Sequence, residues 1–473
     1  MGRYKTLTVN ILLFACNTIA TKLISFVLIP LYTYYMTTEE FGVTDIATTL
    51  TNLLYSLITL QVAEGVLRFT IEDKKHQKEY VTIGFGITAV SCLIVAILLP
   101  GLTLNVFGGL NNYRWQFLML YVASAFQWYL GIVARGLNQI KLIPISSSIS
   151  AVVSALLAYL LIAVMHQGAD GFFFSTIVGS LVGALIFLIF GKQYLYITND
   201  ILKYGKKYTK QVLIYSLPLV PNALSWWLNT NVNRFFIISM MGIGVSGLFA
   251  AACKIPNFMN IVSQIFLSAW TLSAFQEYKK DNIARFYSTV FKFLHVVGSV
   301  LASTLILCAP LISSVMLQKE FYPAWILIPV IVLSVMYNIY GSFYASIYTS
   351  SMKTTFLFVT TAVGAIVTTA LTPLLLTVIG VQGAGIAMCL GNFTLFILRV
   401  INSKKILDFK MNIPVVCCIE ILLITQVVFS VLQIPVASWV ISITVFMIVL
   451  IVGCCRIYPD MRKLFKKRTT INI

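Results

Sequence analysis

Three cations in this sequence stand where cations are costly. Lys22, Arg234 and Lys254 each fall well inside a long apolar run. A charge at the centre of a membrane helix costs about 2.5–3.5 kcal/mol on insertion scales, so each should face a water-filled cavity or an opposite charge. Partners are few, because 15 acidic residues stand against 33 basic ones. Asp45 sits at the end of an apolar run, within expected reach of Lys254. Glu64 precedes Arg68 by four positions, the spacing of a helical ion pair. Glu420 lies near the start of a late run. Cations left uncompensated in a cavity would attract an anion, and Arg68 and Arg135, at the ends of their runs, would extend that field to one mouth. Glu64 is the candidate for binding a coupling proton or sodium ion.

A polar stripe runs beside two of these cations. Asn10, Asn17 and Thr21 accompany Lys22, and Asn222, Asn229 and Asn233 accompany Arg234. Spacings of seven and four keep each stripe on one helical face, with the cation about 100° around from it. The expectation is that both stripes face one central cavity. Lys22 and Arg234 would then approach a single anionic group from opposite sides.

Other chemistry finds little support. The nine cysteines sit mostly in apolar runs without metal-ligand spacing, and Cys417-Cys418 and Cys454-Cys455 are adjacent pairs. They read as small buried hydrophobes. His76, His166 and His295 make no metal motif. Gly242 to Gly247 matches GxGxxG, but it falls on a turn between two apolar runs with no strand before it, so the dinucleotide reading fails and a tight turn remains. No metal, cofactor or catalytic residue is expected. Glu39 and Glu40, next to Gly42, are the acids of the first outer turn, too little for a glycosyl-transfer site.

The elements that position these residues are transmembrane helices. Of 473 residues, 59% are hydrophobic and 10% charged, with mean hydropathy +0.92; an ordinary soluble domain carries about 25% charged residues. Continuous apolar runs of about 20 residues imply helices rather than an alternating barrel. Fourteen spans are expected, at roughly 7–36, 42–66, 80–104, 115–136, 142–165, 171–191, 211–240, 246–270, 288–312, 324–349, 354–379, 382–401, 413–433 and 435–457. The first is too long for a signal-peptide core and is kept as a span. Pro30, Pro218, Pro221, Pro256, Pro329 and Pro373 are candidate kinks.

With both termini cytoplasmic, the inner segments hold 28 of the 33 Lys and Arg residues, and the outer loops hold only Arg114 and Lys319. That distribution also explains the net charge of +18 without nucleic acid. The tail from Arg456 to Arg468 is expected to rest on anionic headgroups. The inner segment at roughly 192–210 is the longest loop and the hinge candidate.

Two halves of six spans resemble each other. Asn10, Leu12, Asn17 and Thr18 recur as Asn222, Leu224, Asn229 and Thr230, and in that register Phe14 meets Trp226 and Lys22 meets Arg234. Gly42, Glu72, Lys74 and Lys75 recur as Gly247, Glu277, Lys279 and Lys280, and Gln167–Ala169 returns at Gln382–Ala384. An even number of spans gives halves of equal orientation, related by an axis along the membrane normal, with a site at their interface. The expected lobes are 1–200 and 201–405, with 406–473 holding spans thirteen and fourteen and the basic tail.

The stretch KLISFVLIPLYTYYMTTEEFGVTDIATTL and the later EGVLRF, with the twelve-plus-two span count and the place of Arg234, resemble polysaccharide flippases of the Wzx type. These belong to the multidrug/oligosaccharidyl-lipid/polysaccharide (MOP) exporter superfamily. The resemblance implies a MATE-like fold of two six-helix lobes around a central cavity. It implies translocation of an undecaprenyl-pyrophosphate-linked oligosaccharide across a bacterial inner membrane, in company with polysaccharide polymerase and glycosyltransferases. It carries pyrophosphate or acidic-sugar binding to Lys22 and Arg234, then to Lys254 and Arg68, and a lipid-tail groove to spans thirteen and fourteen. A multidrug antiporter, which would be expected to place carboxylates in the cavity, and a lipid II flippase are the alternatives within the superfamily. A membrane glycosyltransferase or polymerase is the alternative outside it.

Overall fold

The computed structural model describes residues 23–469, apart from 199–200, 278–281, 352, 354, 410 and 435. Among them there is no strand. Ten helices are long and apolar enough to cross a membrane, and two further spans are bent pairs. The first pair is α2 (Thr38–Ile58) and α3 (Val62–Glu72), bent by 55°; the second is α10 (Ile243–Lys254) with the start of α11 (Asn257–Glu277), bent by 42°. With α1 (Leu23–Tyr35) and α9 (Val220–Met241), they fall on the fourteen expected spans.

The breaks have different causes. Pro256 lies between α10 and α11, where its missing N–H ends a helix. No proline separates α2 from α3. There Leu60 and Gln61 take left-handed φ values of 53° and 56°, a conformation costly for residues with a Cβ. The segment at 192–210 is not an open loop, because α8 (Ile201–Ser216) occupies its second half. Pro218 then sits in a short turn before α9, so the span expected from 211 starts later, at Val220.

The chain forms two compact units, one of residues 1–250 with 316–321, the other of 251–315 with 322–473. In the first, α5 (Arg114–Gly136) packs on α3, α4 (Gln77–Leu98) and α7 (Gly168–Ile189), α6 (Leu142–Ala158) lies along α7, and α9 lies against α2. Small residues allow the close approaches: Gly183 of α7 meets Gln127 and Ser146, whose Oγ donates to the Gly183 carbonyl at 2.8 Å. The 316–321 segment is held by Thr33, which donates to the Met316 carbonyl at 2.8 Å and accepts from the Gln318 N–H at 3.2 Å.

In the second unit, α14 (Ile328–Ser350) is the most enclosed helix and packs on α11, α12 (Ile283–Leu307) and α16 (Gln382–Ser403), while α15 (Thr355–Ile379) lies along α16. Beside them α17 (Ile413–Leu432) and α18 (Ala437–Thr469) pack together and on α12. Outward faces carry large apolar side chains such as Ile97 and Val378, 76% and 77% exposed. Lipid is the solvent that suits such surfaces.

Candidate functional site

The sequence places α2 by a capping box. The Glu40 N–H donates to Thr37 Oγ1 at 3.2 Å, and the Thr37 N–H donates to Glu40 Oε2 at 2.9 Å. Glu39 and Glu40 thus serve the first turn of α2, where carboxylates suit the helix dipole.

Two residues into the next turn, Gly42 meets α10. A Cβ added there would run into the Ile243 carbonyl oxygen and come within 3.2 Å of the Gly247 N. A Cβ at Gly247 would strike the Thr38 carbonyl and lie 3.0 Å from the Gly42 N. The two glycines that the repeat makes equivalent therefore touch. Gly242, with φ of 93°, makes the turn from α9 into α10. The GxGxxG run serves a turn and a close helix crossing.

About one turn further along α2, Asp45 pairs with the Nε of Arg234. Both side chains are buried, 6% and 11% exposed, and Arg234 Nη1 also donates to Asn231 Oδ1 at 3.1 Å. Arg234 is consequently compensated, with Asp45 as its partner, which corrects the expectation of an uncompensated cation. The pair joins residues 189 apart in sequence. Asn229 and Asn233 are fully buried beside it and Asn222 is exposed. Lys254 is the half-buried last residue of α10. Lys22, Asn10, Asn17 and Thr21 lie outside the described residues.

A cavity of about 660 Å³ opens within the first unit. It is lined by Ser25 of α1, Tyr55 of α2, Gln61 at the bend, Glu64 of α3, Gln127, Trp128 and Arg135 of α5, and Ser146, Ser147 and Ser150 of α6. Glu64 and Arg135 thus share one space, both exposed to it. Its remaining polar groups are neutral donors and acceptors; Gln127 Nε2 donates to Ser150 Oγ at 3.0 Å. The Tyr55 hydroxyl is buried with no hydrogen-bond partner among the described residues. Arg68 is elsewhere. Its Nε donates to Glu72 at 2.9 Å, and its guanidinium lies 4.7 Å from the centre of the Tyr215 ring. The expected Glu64–Arg68 pair is therefore replaced by one formed four residues onward. Beyond α3, at the turn, a hydrogen bond of 2.8 Å from His76 holds the Asp73 carboxyl below its usual range.

The second unit holds two further polar centres; the sequence marks Glu420 and His295 singly but not their contact. Glu420 of α17 accepts from the Tyr337 hydroxyl at 3.0 Å and lies 3.3 Å from Nε2 of the fully buried His295. Arg399 of α16, 7% exposed, donates to Thr360 Oγ1, Thr361 Oγ1 and the Gly341 carbonyl at 3.1, 3.0 and 2.8 Å, holding α14, α15 and α16 together. In the sequence, only the position of Arg399 inside an apolar run hints at this.

The sequence signature described as "Polysaccharide biosynthesis protein" matches residues 7–275. No curated protein gives a significant match. Among solved structures, the lipid II flippase MurJ in an inward closed conformation is 14% identical with a TM-score of 0.73, covering 95% of this chain and 99% of that one. An inward-facing multidrug resistance MATE family transporter of the MOP superfamily is 11% identical with a TM-score of 0.69, covering 86% and 95%. A MOP superfamily transporter from Pyrococcus furiosus, described as having a binding pocket of reverse polarity, is 13% identical with a TM-score of 0.61, covering 87% and 96%. The expected fold class, an all-helical membrane protein of the MOP type, is the one found.

Proposed function

The chain belongs to the polysaccharide biosynthesis protein family, and on that footing we propose that it is a Wzx-type flippase. It carries an undecaprenyl-pyrophosphate-linked oligosaccharide from the inner to the outer leaflet of a bacterial cytoplasmic membrane, supplying O-antigen, capsule or exopolysaccharide synthesis. Both termini face the cytoplasm, and polysaccharide polymerase and glycosyltransferases act on either side of the step. The observation that carries this reading is the family match lying over a chain of membrane-spanning helices. A glycan assembled on a lipid inside the cell must cross the bilayer, and alternating access between two lobes, 1–200 and 201–405, supplies the route.

In this reading the pyrophosphate is held by cations: Lys22 and Arg234 first, with Lys254, Arg68 and Arg135 nearer the cytoplasmic side. Arg234 reaches substrate by exchanging Asp45 for a phosphate oxygen, so the buried pair compensates the guanidinium until substrate arrives. Depletion of the protein should strand lipid-linked oligosaccharide on the inner leaflet. The measurement is accessibility of the glycan to an external glycosidase or lectin in cells with no second flippase. Normal surface glycan under depletion would refute the assignment.

Glu64 is assigned the binding of a coupling proton or sodium ion, because it is the carboxylate that lines the first-unit cavity. Glu64→Gln should therefore flatten the dependence of transport on pH or sodium. A variant that keeps the parent's full dependence on both rules that role out.

A further inference from the structure

A second cationic pocket lies wholly within the second unit. About 400 Å³ in volume, it is lined by Ser288, Phe291 and Lys292 of α12, by Met411 and Asn412 just before α17, and by Arg456 of α18. Its assembly follows from one glycine. Gly453 brings α18 against α12 so closely that a Cβ there would stand 2.7 Å from Val296 Cγ1. The two helices run in opposite directions through the apolar layer. One turn beyond that contact, Val296 leads back to Lys292 while Gly453 leads on to Arg456. The tight crossing therefore brings two cations to one pocket. Met411 is pinned by the Tyr344 hydroxyl, which donates to its sulfur at 2.8 Å.

The chemistry of this lining is selective. No lining residue is acidic, and Ser288 and Asn412 add neutral donors. The Nη1 of Arg456 is buried with no hydrogen-bond partner among the described residues. A buried guanidinium N–H without an acceptor is costly, and phosphate oxygens are the acceptors that fit its fork best. Phe291 and Met411 complete an apolar wall. The pocket sits near the start of α12, at the start of α17 and at the last residue of the apolar part of α18, which is the depth of lipid headgroups rather than tails.

We propose that this pocket binds the phosphate of an anionic membrane lipid, as a site separate from the cations assigned to the transported substrate. The lipid's phosphate bridges Lys292 and Arg456, and its glycerol and chains lie along Phe291 and Met411. A lipid held there ties α18 to α12 at the membrane face.

The test uses the full-length protein in nanodiscs and in detergent, with native mass spectrometry reading the lipids retained. Phosphatidylglycerol and diacylglycerol are offered as a matched pair, and inorganic phosphate as the competitor. Phosphatidylglycerol should be retained, and diacylglycerol should not. The Lys292→Gln/Arg456→Gln double variant should lose about tenfold or more in retention, the worth of charge-assisted hydrogen bonds to one ligand. Lys292→Arg/Arg456→Lys, which keeps both charges, should retain the lipid and so serves as the check on folding. Equal retention by the double Gln variant, or equal binding of diacylglycerol, overturns the site. Full displacement of the lipid by millimolar inorganic phosphate overturns the lipid as the source of the phosphate. The assay reads no transport, so its outcome is independent of the flippase reading.

Discussion

Asp45→Ala is expected to destabilise the protein by about 3–5 kcal/mol, the cost of leaving one member of a buried ion pair unpaired. The Arg234 side chain is only 11% exposed, and in the variant its remaining named acceptors would be neutral. Asp45→Ala/Arg234→Met should recover most of the loss, since an apolar pair of similar volume often matches a buried salt bridge. Transport is expected to be lost in both variants, because Asp45→Ala removes the partner that holds Arg234 in place and the double variant removes the cation itself. The comparison separates the two roles of Arg234. Unfolding in detergent reads the structural one, and appearance of glycan at the outer leaflet reads the other. Parent-like transport by the double variant would reduce Arg234 to a packing residue. Parent-like stability of Asp45→Ala would show that the pair carries little.

Gly42→Ala and Gly247→Ala are each expected to slow transport by about tenfold or more while leaving insertion intact. In both cases the added Cβ meets backbone atoms of the opposite helix, the Ile243 or Thr38 carbonyl. Backbone cannot swing aside as a side chain can, so α2 and α10 must separate. Overpacking of this kind costs typically about 1–3 kcal/mol. A transporter cycles between states, and a cost confined to the state in which these helices touch shifts the equilibrium about 5- to 150-fold toward the other. Either state held too long stalls the cycle. A cysteine placed at Thr38 in a background without the native cysteines should label faster with an impermeant thiol reagent in the Ala variants. Labelling and transport both unchanged would mean that the contact never opens.

Much of the fold was legible because a membrane helix states its length and composition directly in sequence. The bend at Pro256 was legible for the same reason. The bend at Leu60 and Gln61 was not, because neither residue is a glycine or proline and only the packing around them holds their left-handed backbone. The need of Arg234 for a partner could be read from its apolar surroundings, but the partner could not. Asp45 lies 189 residues away, on a helix of the opposite half, and hydropathy says nothing about which faces meet. Glu420 and His295 illustrate the same gap: each looked isolated along the chain, and three helices bring them together with Tyr337. Arg68 shows a finer failure. With carboxylates four residues away on both sides, spacing could not choose between Glu64 and Glu72.

The touching glycines have a consequence for symmetry. A position that meets its own counterpart must lie beside the axis relating the two halves. Were the two halves identical copies, that same contact would be a residue meeting its own copy across a two-fold interface, the self-complementary geometry of a symmetric dimer. At such a point one substitution would be felt twice. A side chain there would face an identical side chain with no room for either, and glycine is the residue that escapes this doubling. The two halves are not identical in sequence, so Asp45 and Arg234 can pair although the positions equivalent to them are Ala250 and Lys22. The shared glycines keep the symmetry of the repeat, and the buried ion pair departs from it.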